Sequence, residues 1–184
     1  MSVTPAISVL MPVRDARGTI EAAIASVQAQ SRTDWELVIV DDGSQDGTTE
    51  LLRSIAASEP RLVLIEQEPK GIALALNRGL ASCRGEFVAR MDADDVMSER
   101  RLELQSAFLA ANRDVGLVSC CVQFGGSEAG YAAHVDWINS LTTHDEMSLR
   151  RFVEAPVAHP SVMFRHELIA KHGGYRVGEF PEDY

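Results

Sequence analysis

An apolar run, Phe87-Val88-Ala89-Arg90-Met91, breaks off into Asp92-Ala93-Asp94-Asp95, which sets three carboxylates within four positions. Carboxylates at the end of a buried strand are costly unless something positive sits between them. In extended chain Asp92 and Asp94 project to the same side. Two hard oxygen donors on one side suit Mg2+ or Mn2+, ions that keep room for a substrate phosphate. The pattern occurs a second time, where Leu37-Val38-Ile39-Val40 runs into Asp41-Asp42-Gly43-Ser44. In open α/β sheets ligands bind outside the carboxyl ends of the strands. Two acidic strand ends in one chain therefore predict one cleft for a metal ion and a polar ligand.

The rest of the chain supplies the sheet. Strand-like segments are Ile7 to Val13 (interrupted at Pro12), Glu36 to Val40, Arg61 to Glu66, Glu86 to Met91 and Val115 to Phe124. Between them lie helical spacings. Ile20, Ala23, Ile24 and Val27 mark one helix within Gly18 to Gln30. Others span Thr48 to about Ser58, Ile72 to Ser82, and Glu99 to Asn112, with Asp46 or Thr48 and then Ser98 as caps. Alternating strands and helices predict an α/β fold with a mainly parallel central sheet. Beyond a loop at Gly125 to Gly130 the pattern weakens. Tyr131 to Asn139 is ambiguous, Thr143 to Phe152 reads as a short helix, Ser161 to Phe164 as a strand, and His166 to His172 as a helix ended by Gly173-Gly174.

Composition removes several classes. A chain of 184 residues with net charge −10 reads as one domain and argues against nucleic acid as a partner. Cys83, Cys120 and Cys121 are odd in number and lack zinc spacing, so buried reduced thiols are expected. The N-terminus lacks the regions of a signal peptide, and no apolar run approaches a membrane span. Neither a P-loop, nor a dinucleotide-binding glycine pattern after the first strand, nor a nucleophile elbow occurs.

Five segments in order carry a resemblance. They are Ile7-Ser8-Val9-Leu10-Met11-Pro12-Val13-Arg14-Asp15-Ala16, Ile24 to Ser31, Trp35 to Thr48 with its Val40-Asp41-Asp42-Gly43-Ser44 core, Leu76 to Asp95, and Glu182-Asp183. Together they resemble the inverting family 2 glycosyltransferases. The resemblance implies the GT-A fold, a Rossmann-like α/β/α sandwich, as one domain over residues 1–184. The nucleotide-sugar part would cover about 1–97, and an acceptor-side part, cut short, about 98–184.

It also implies roles. Pro12, Val13 and Asp15 would line the nucleobase end of the cleft, and Asp42 would accept a hydrogen bond from uracil. Asp92 would lie near the ribose and the metal, and Asp94 would hold Mn2+ or Mg2+ against the diphosphate. Asp183 would be the general base, with Glu182 orienting. Arg14 departs from the family, where an aromatic residue is common. The implied activity is transfer from a nucleotide sugar, a UDP-sugar, to a saccharide or lipid-linked acceptor in cell-envelope polysaccharide synthesis. The implied location is the cytoplasm or the inner face of the membrane, with homo-oligomerisation left open. Two rivals stand beside it. A sugar nucleotidyltransferase would want a Gly-rich, basic first loop, of which Val13 to Gly18 is a thin version. A nucleotide-sugar-binding module would bind without turnover.

Overall fold

Residues 4–178 are described by a computed structural model. The strands are β1 (Ile7–Val13), β2 (Trp35–Asp41), β3 (Leu62–Glu66), β4 (Phe87–Arg90), β5 (Leu117–Val118) and β6 (Met163–Arg165). They form one sheet in the order β3-β2-β1-β4-β6-β5. β1 to β4 are mutually parallel, whereas β6 runs antiparallel to both β4 and β5. The chain builds outward from β1 through β2 to β3, then crosses back and starts again at β4. That reversal places the topological switch, and the natural crevice, above the carboxyl ends of β1, β2 and β4.

Helices cover both faces. Residues Val9, Met11, Leu37, Ile39 and Ala89 pack on one face against α1 (Ile20–Gln28), α2 (Thr48–Ala56) and α4 (Arg101–Ala111). Leu10, Val38, Val88 and Phe164 point the other way, onto α3 (Ile72–Leu80) and α7 (Glu167–His172). Both faces of β1 and β2 are buried, so these strands read as continuous apolar runs rather than alternating ones. In α1 the buried residues are Ile20, Ala23, Ile24 and Val27, the stripe its spacing predicts. On the second face α3 lies very close to the sheet. A Cβ on Gly79 would stand 2.2 Å from Leu10 Cδ1 and 3.0 Å from Val40 Cγ2.

Pro12 does not interrupt β1. Met91 N–H donates to the Leu10 carbonyl at 3.0 Å, so the even-numbered residues of β1 turn their backbone groups toward β4. Pro12 is the next such position, and the paired register with β4 ends at Leu10 and Arg90. The missing N–H falls where no ladder bond is required.

Other expectations shift. The strand read over Val115 to Phe124 shrinks to Leu117–Val118, because among the described residues its one neighbour, β6, has three residues. Cys120 and Cys121 consequently lie exposed beyond the sheet edge, and of the three thiols only Cys83 is buried. Burial pushes the Cys83 thiol up to about 12. Ser98 does not cap α4 with its side chain; the helix begins at Arg101, whose N–H reaches the Ser98 carbonyl at 3.0 Å. The ambiguous stretch near Tyr131 is a helix, α5 (Ala129–Ser140), followed by α6 (His144–Arg150). Thr143 and Glu146 close a capping box at the start of α6. Among the described residues no helix is long and apolar enough to cross a membrane.

Candidate donor and metal site

The first two loops at the carboxyl edge are stitched together. Asp15 N–H donates to Ser44 Oγ at 2.9 Å, and Gln45 N–H returns a bond to Asp15 Oδ1 at 2.7 Å. Ala16 N–H reaches Thr48 Oγ1 and Arg17 N–H reaches Asp46 Oδ2, both at 2.9 Å. Asp46 Oδ1 also accepts from the Thr48 N–H at 3.0 Å, so it caps α2 from just outside the helix. Asp15 holds φ 51°, the sole positive value among described non-glycine residues. Aspartate tolerates this region because its short side chain bonds nearby backbone.

The adjacent carboxylates of β2 divide their tasks. Asp41 is buried and closes its own turn, accepting from Ser44 N–H (3.1 Å), Ser44 Oγ (2.6 Å) and Thr49 Oγ1 (2.5 Å). Asp42 reaches across to the loop after β3. It accepts from Gln67 Nε2 at 2.7 Å and from the Lys70 and Gly71 N–H groups at 2.8 Å each. Burial disfavours its charge, but the bonds from Gln67, Lys70 and Gly71, with the nearby Arg14 guanidinium, outweigh burial and lower its pKa. Between the two loops Gly43 (φ +75°) passes Pro69 so closely that a Cβ would lie 2.5 Å from its Cδ.

Pro12 and Val13 end β1 beneath this corner. Val13 is 3% exposed, its side chain sits in the core, and its carbonyl accepts the Asp42 N–H at 2.8 Å. Arg14 is exposed, its Nε 3.8 Å from Asp15 Oδ2.

β4 delivers the third corner. Asp92, Asp94 and Asp95 each offer a carboxylate oxygen, and these oxygens lie within 4.8 Å of one another. Three hard oxygen donors that close, on a solvent-facing loop, fit Mg2+ or Mn2+ in both charge and chemistry. Partial burial and the neighbouring charges of Asp92 and Asp94 raise the Asp95 pKa, against the opposing pull of Arg90 and Arg101. Asp92 pairs with Arg90, which is 1% exposed. Arg90 was not singled out from sequence, although an arginine two residues before the first aspartate of the cluster is visible there.

His159 adjoins this corner. Its Nε2 lies 3.0 Å from the Tyr175 hydroxyl, and both rings line a cavity of about 520 Å3 with Val157, Phe164 and Leu168. Burial, aided by Arg90, pushes the His159 pKa down to about 3. Glu182 and Asp183 lie outside the described residues. The structure thus brings Asp15, Asp42 and Asp92 to Asp95 to one edge of the sheet, with Pro12 and Val13 beneath.

Residues 8–173 match the family model described as glycosyl transferase family 2. The chain is 30% identical, over 98% of its length and 66% of the relative's, to the UDP-Gal:alpha-D-GlcNAc-diphosphoundecaprenol beta-1,3-galactosyltransferase of Escherichia coli. It is 36% identical, over 58% of its length and 42% of the relative's, to the Escherichia coli UDP-Glc:alpha-D-GlcNAc-diphosphoundecaprenol beta-1,3-glucosyltransferase WfgD. The chain spans about half the length of the curated relatives it matches. Among solved structures it resembles the mannosyltransferase PcManGT of Pyrobaculum calidifontis in complex with GDP-Man and Mn2+. That likeness has a TM-score of 0.72 at 26% identity, over 95% of this chain and 48% of the other. TarS of S. aureus, solved as residues 1-349 with UDP, superposes with TM-score 0.68 at 19% identity over 92% of this chain and 50% of the other. The fold is that of the GT-A glycosyltransferases.

Proposed function

The chain belongs to glycosyl transferase family 2, and from that premise we propose that it holds the donor site of a metal-dependent, inverting glycosyltransferase. The donor is a nucleotide sugar, in our reading a UDP-sugar. The acceptor is a hydroxyl of a saccharide or lipid-linked intermediate in cell-envelope polysaccharide synthesis. One observation carries the reading: the Asp42 corner and the Asp92, Asp94, Asp95 cluster stand at the carboxyl ends of β2 and β4, on either side of β1. The two Escherichia coli relatives, a UDP-Gal and a UDP-Glc transferase acting on alpha-D-GlcNAc-diphosphoundecaprenol, support uridine and a lipid-linked acceptor. PcManGT, with GDP-Man and Mn2+, supports a divalent ion while using another base.

In this reading Asp94 and Asp92 hold Mn2+ or Mg2+, which when bound offsets the negative charge gathering on the leaving diphosphate. Asp92 also accepts from a ribose hydroxyl. Asp42, ionised and fixed by Gln67, Lys70 and Gly71, accepts from the uracil N–H. The loops around Asp15 are already tied together by hydrogen bonds, so little ordering remains to be done on binding. Asp183 takes the acceptor hydroxyl proton from the face opposite the leaving group, which inverts the anomeric carbon, and Glu182 orients it.

Calorimetry of UDP binding tests the donor half. Affinity rises when Mn2+ or Mg2+ replaces chelator, and Asp94→Ala removes most of that gain. Equal UDP affinity with and without metal overturns the metal role. Equal affinity for UDP and GDP, before and after Asp42→Ala, overturns the uracil-reading pocket.

A further inference from the structure

Three arginines are buried in this fold, and two of them are struts. Arg101 donates from Nη2 to the Arg90 carbonyl (2.8 Å) and the Val162 carbonyl (3.2 Å), and from Nε to Gln105 Oε1 (3.0 Å). Arg165 donates from Nε to the Val115 carbonyl (2.9 Å) and from Nη2 to those of Leu109 (2.6 Å) and Asn112 (3.1 Å). Both stitch main chain to main chain. Arg90 is the most buried of the three and does otherwise. Neither its Nε nor its Nη1 makes a hydrogen bond among the described residues, while Nη1 meets the Asp92 carboxylate as an ion pair. A buried guanidinium is tolerated only when something compensates its charge, and here the compensating group is Asp92. The two residues are i and i+2 at a strand end, so both side chains leave the backbone on one side. The Asp92 side chain is 33% exposed, so it faces the guanidinium and still opens to the cleft. Arg101, by gripping the Arg90 carbonyl, holds the base of this arm. His159 lies close enough to Arg90 to feel its charge, and burial together with that charge keeps the ring neutral near pH 7.

We propose that Arg90 is a positioning residue of the donor site: its buried guanidinium fixes the Asp92 carboxylate for the nucleotide and offsets one of three clustered negative charges. The inference rests on the donor-site reading above. It gives Arg90 two separable effects. Orientation of Asp92 favours the nucleotide. The positive charge also opposes a bare divalent cation arriving at Asp94 and Asp92, because it sits directly against the Asp92 carboxylate. Loss of the guanidinium therefore weakens nucleotide and strengthens, or leaves unchanged, bare metal. A purely structural role would weaken both together.

The test is a binding experiment on this chain, independent of turnover. UDP affinity in saturating Mn2+ is measured by calorimetry, and Mn2+ affinity without nucleotide by electron paramagnetic resonance. Arg90→Met weakens UDP about tenfold or more, within the range of a charge pair that loses one partner, and leaves Mn2+ at least as tight as in the wild type. Arg90→Lys, which keeps the charge without the planar fork, recovers part of the UDP loss and also serves if Arg90→Met does not fold. In an Asp92→Asn background Arg90→Met costs little more. Unchanged UDP affinity in Arg90→Met, or parallel loss of UDP and Mn2+ with a lowered melting temperature, overturns the positioning role while the donor site stands. Absence of Mn2+-dependent UDP binding in the wild type overturns the donor reading itself, and this inference with it.

Discussion

At the residue scale, Asp42 serves the fold and the site with one carboxylate. Its three hydrogen bonds tie the end of β2 to the loop after β3. Asp42→Ala removes the acceptor of three part-buried hydrogen bonds, at a cost of roughly 0.5–1.5 kcal/mol net for each. We expect urea unfolding to register that cost, and UDP calorimetry to register a separate loss on the order of 1.5–3 kcal/mol. A stability loss with no change in UDP affinity would assign Asp42 to the fold alone. His159 offers a pH signature. Its folded pKa of about 3 lies below the 6.5 of an ordinary histidine, so the unfolded chain binds the proton first. The stabilisation is whole above about pH 6.5 and is lost as pH falls toward the folded value. Between pH 7 and 5 the wild type should lose stability more steeply than His159→Gln, by up to about 1.4 kcal/mol per pH unit. Parallel stability curves for the two proteins would show that His159 titrates alike in the folded and the unfolded chain.

At the element scale, the site depends on how closely α3 lies on the sheet. Gly79 is what permits the approach to Leu10 and Val40. Alanine there gains about 1 kcal/mol of helix propensity and loses about 1–3 kcal/mol to overpacking. Leu10 is fully buried and has no room to retreat, so Gly79→Ala should lower the urea midpoint. A raised midpoint would show that α3 can shift outward at no cost. The same helix starts at the loop that Asp42 holds, so a shift in α3 should also loosen nucleotide binding. The helices and strands on both faces of β1 and β2 were legible because their apolar spacing is decided locally. The edge strand was not: Leu117–Val118 is set by the length of β6 across the sheet, which lies 45 residues further along the chain.

At the scale of the whole molecule, binding and transfer should separate. The donor corner is built from segments between Ile7 and Asp95, all within the described residues, and is expected to bind UDP in this chain. Asp183 and Glu182 lie outside the described residues. In a protein extended to the length of its relatives, Asp183→Asn should keep UDP affinity and abolish sugar transfer, because a general base is used mainly in the transition state. Nucleotide calorimetry beside a radiolabelled transfer assay reads both quantities. Undiminished transfer by the Asp183→Asn protein would place the base elsewhere.

The sequence by itself determined the α/β layering, the two acidic strand ends and their meeting at one edge. Apolar periodicity and carboxylates at strand ends are local patterns, and the handedness of parallel crossovers brings consecutive strand ends to one side. Tertiary structure alone decided which carboxylate does what. Asp41 and Asp42 are adjacent in sequence, yet one turns into its own loop and the other to Gln67, Lys70 and Gly71. It alone decided that Cys120 and Cys121 are exposed, and that Arg90 is buried against Asp92 rather than at the surface. Each of these outcomes rests on partners distant in the chain or on how much neighbouring sheet is present. Burial and charge pairing follow from that three-dimensional company, which local sequence spacing does not encode.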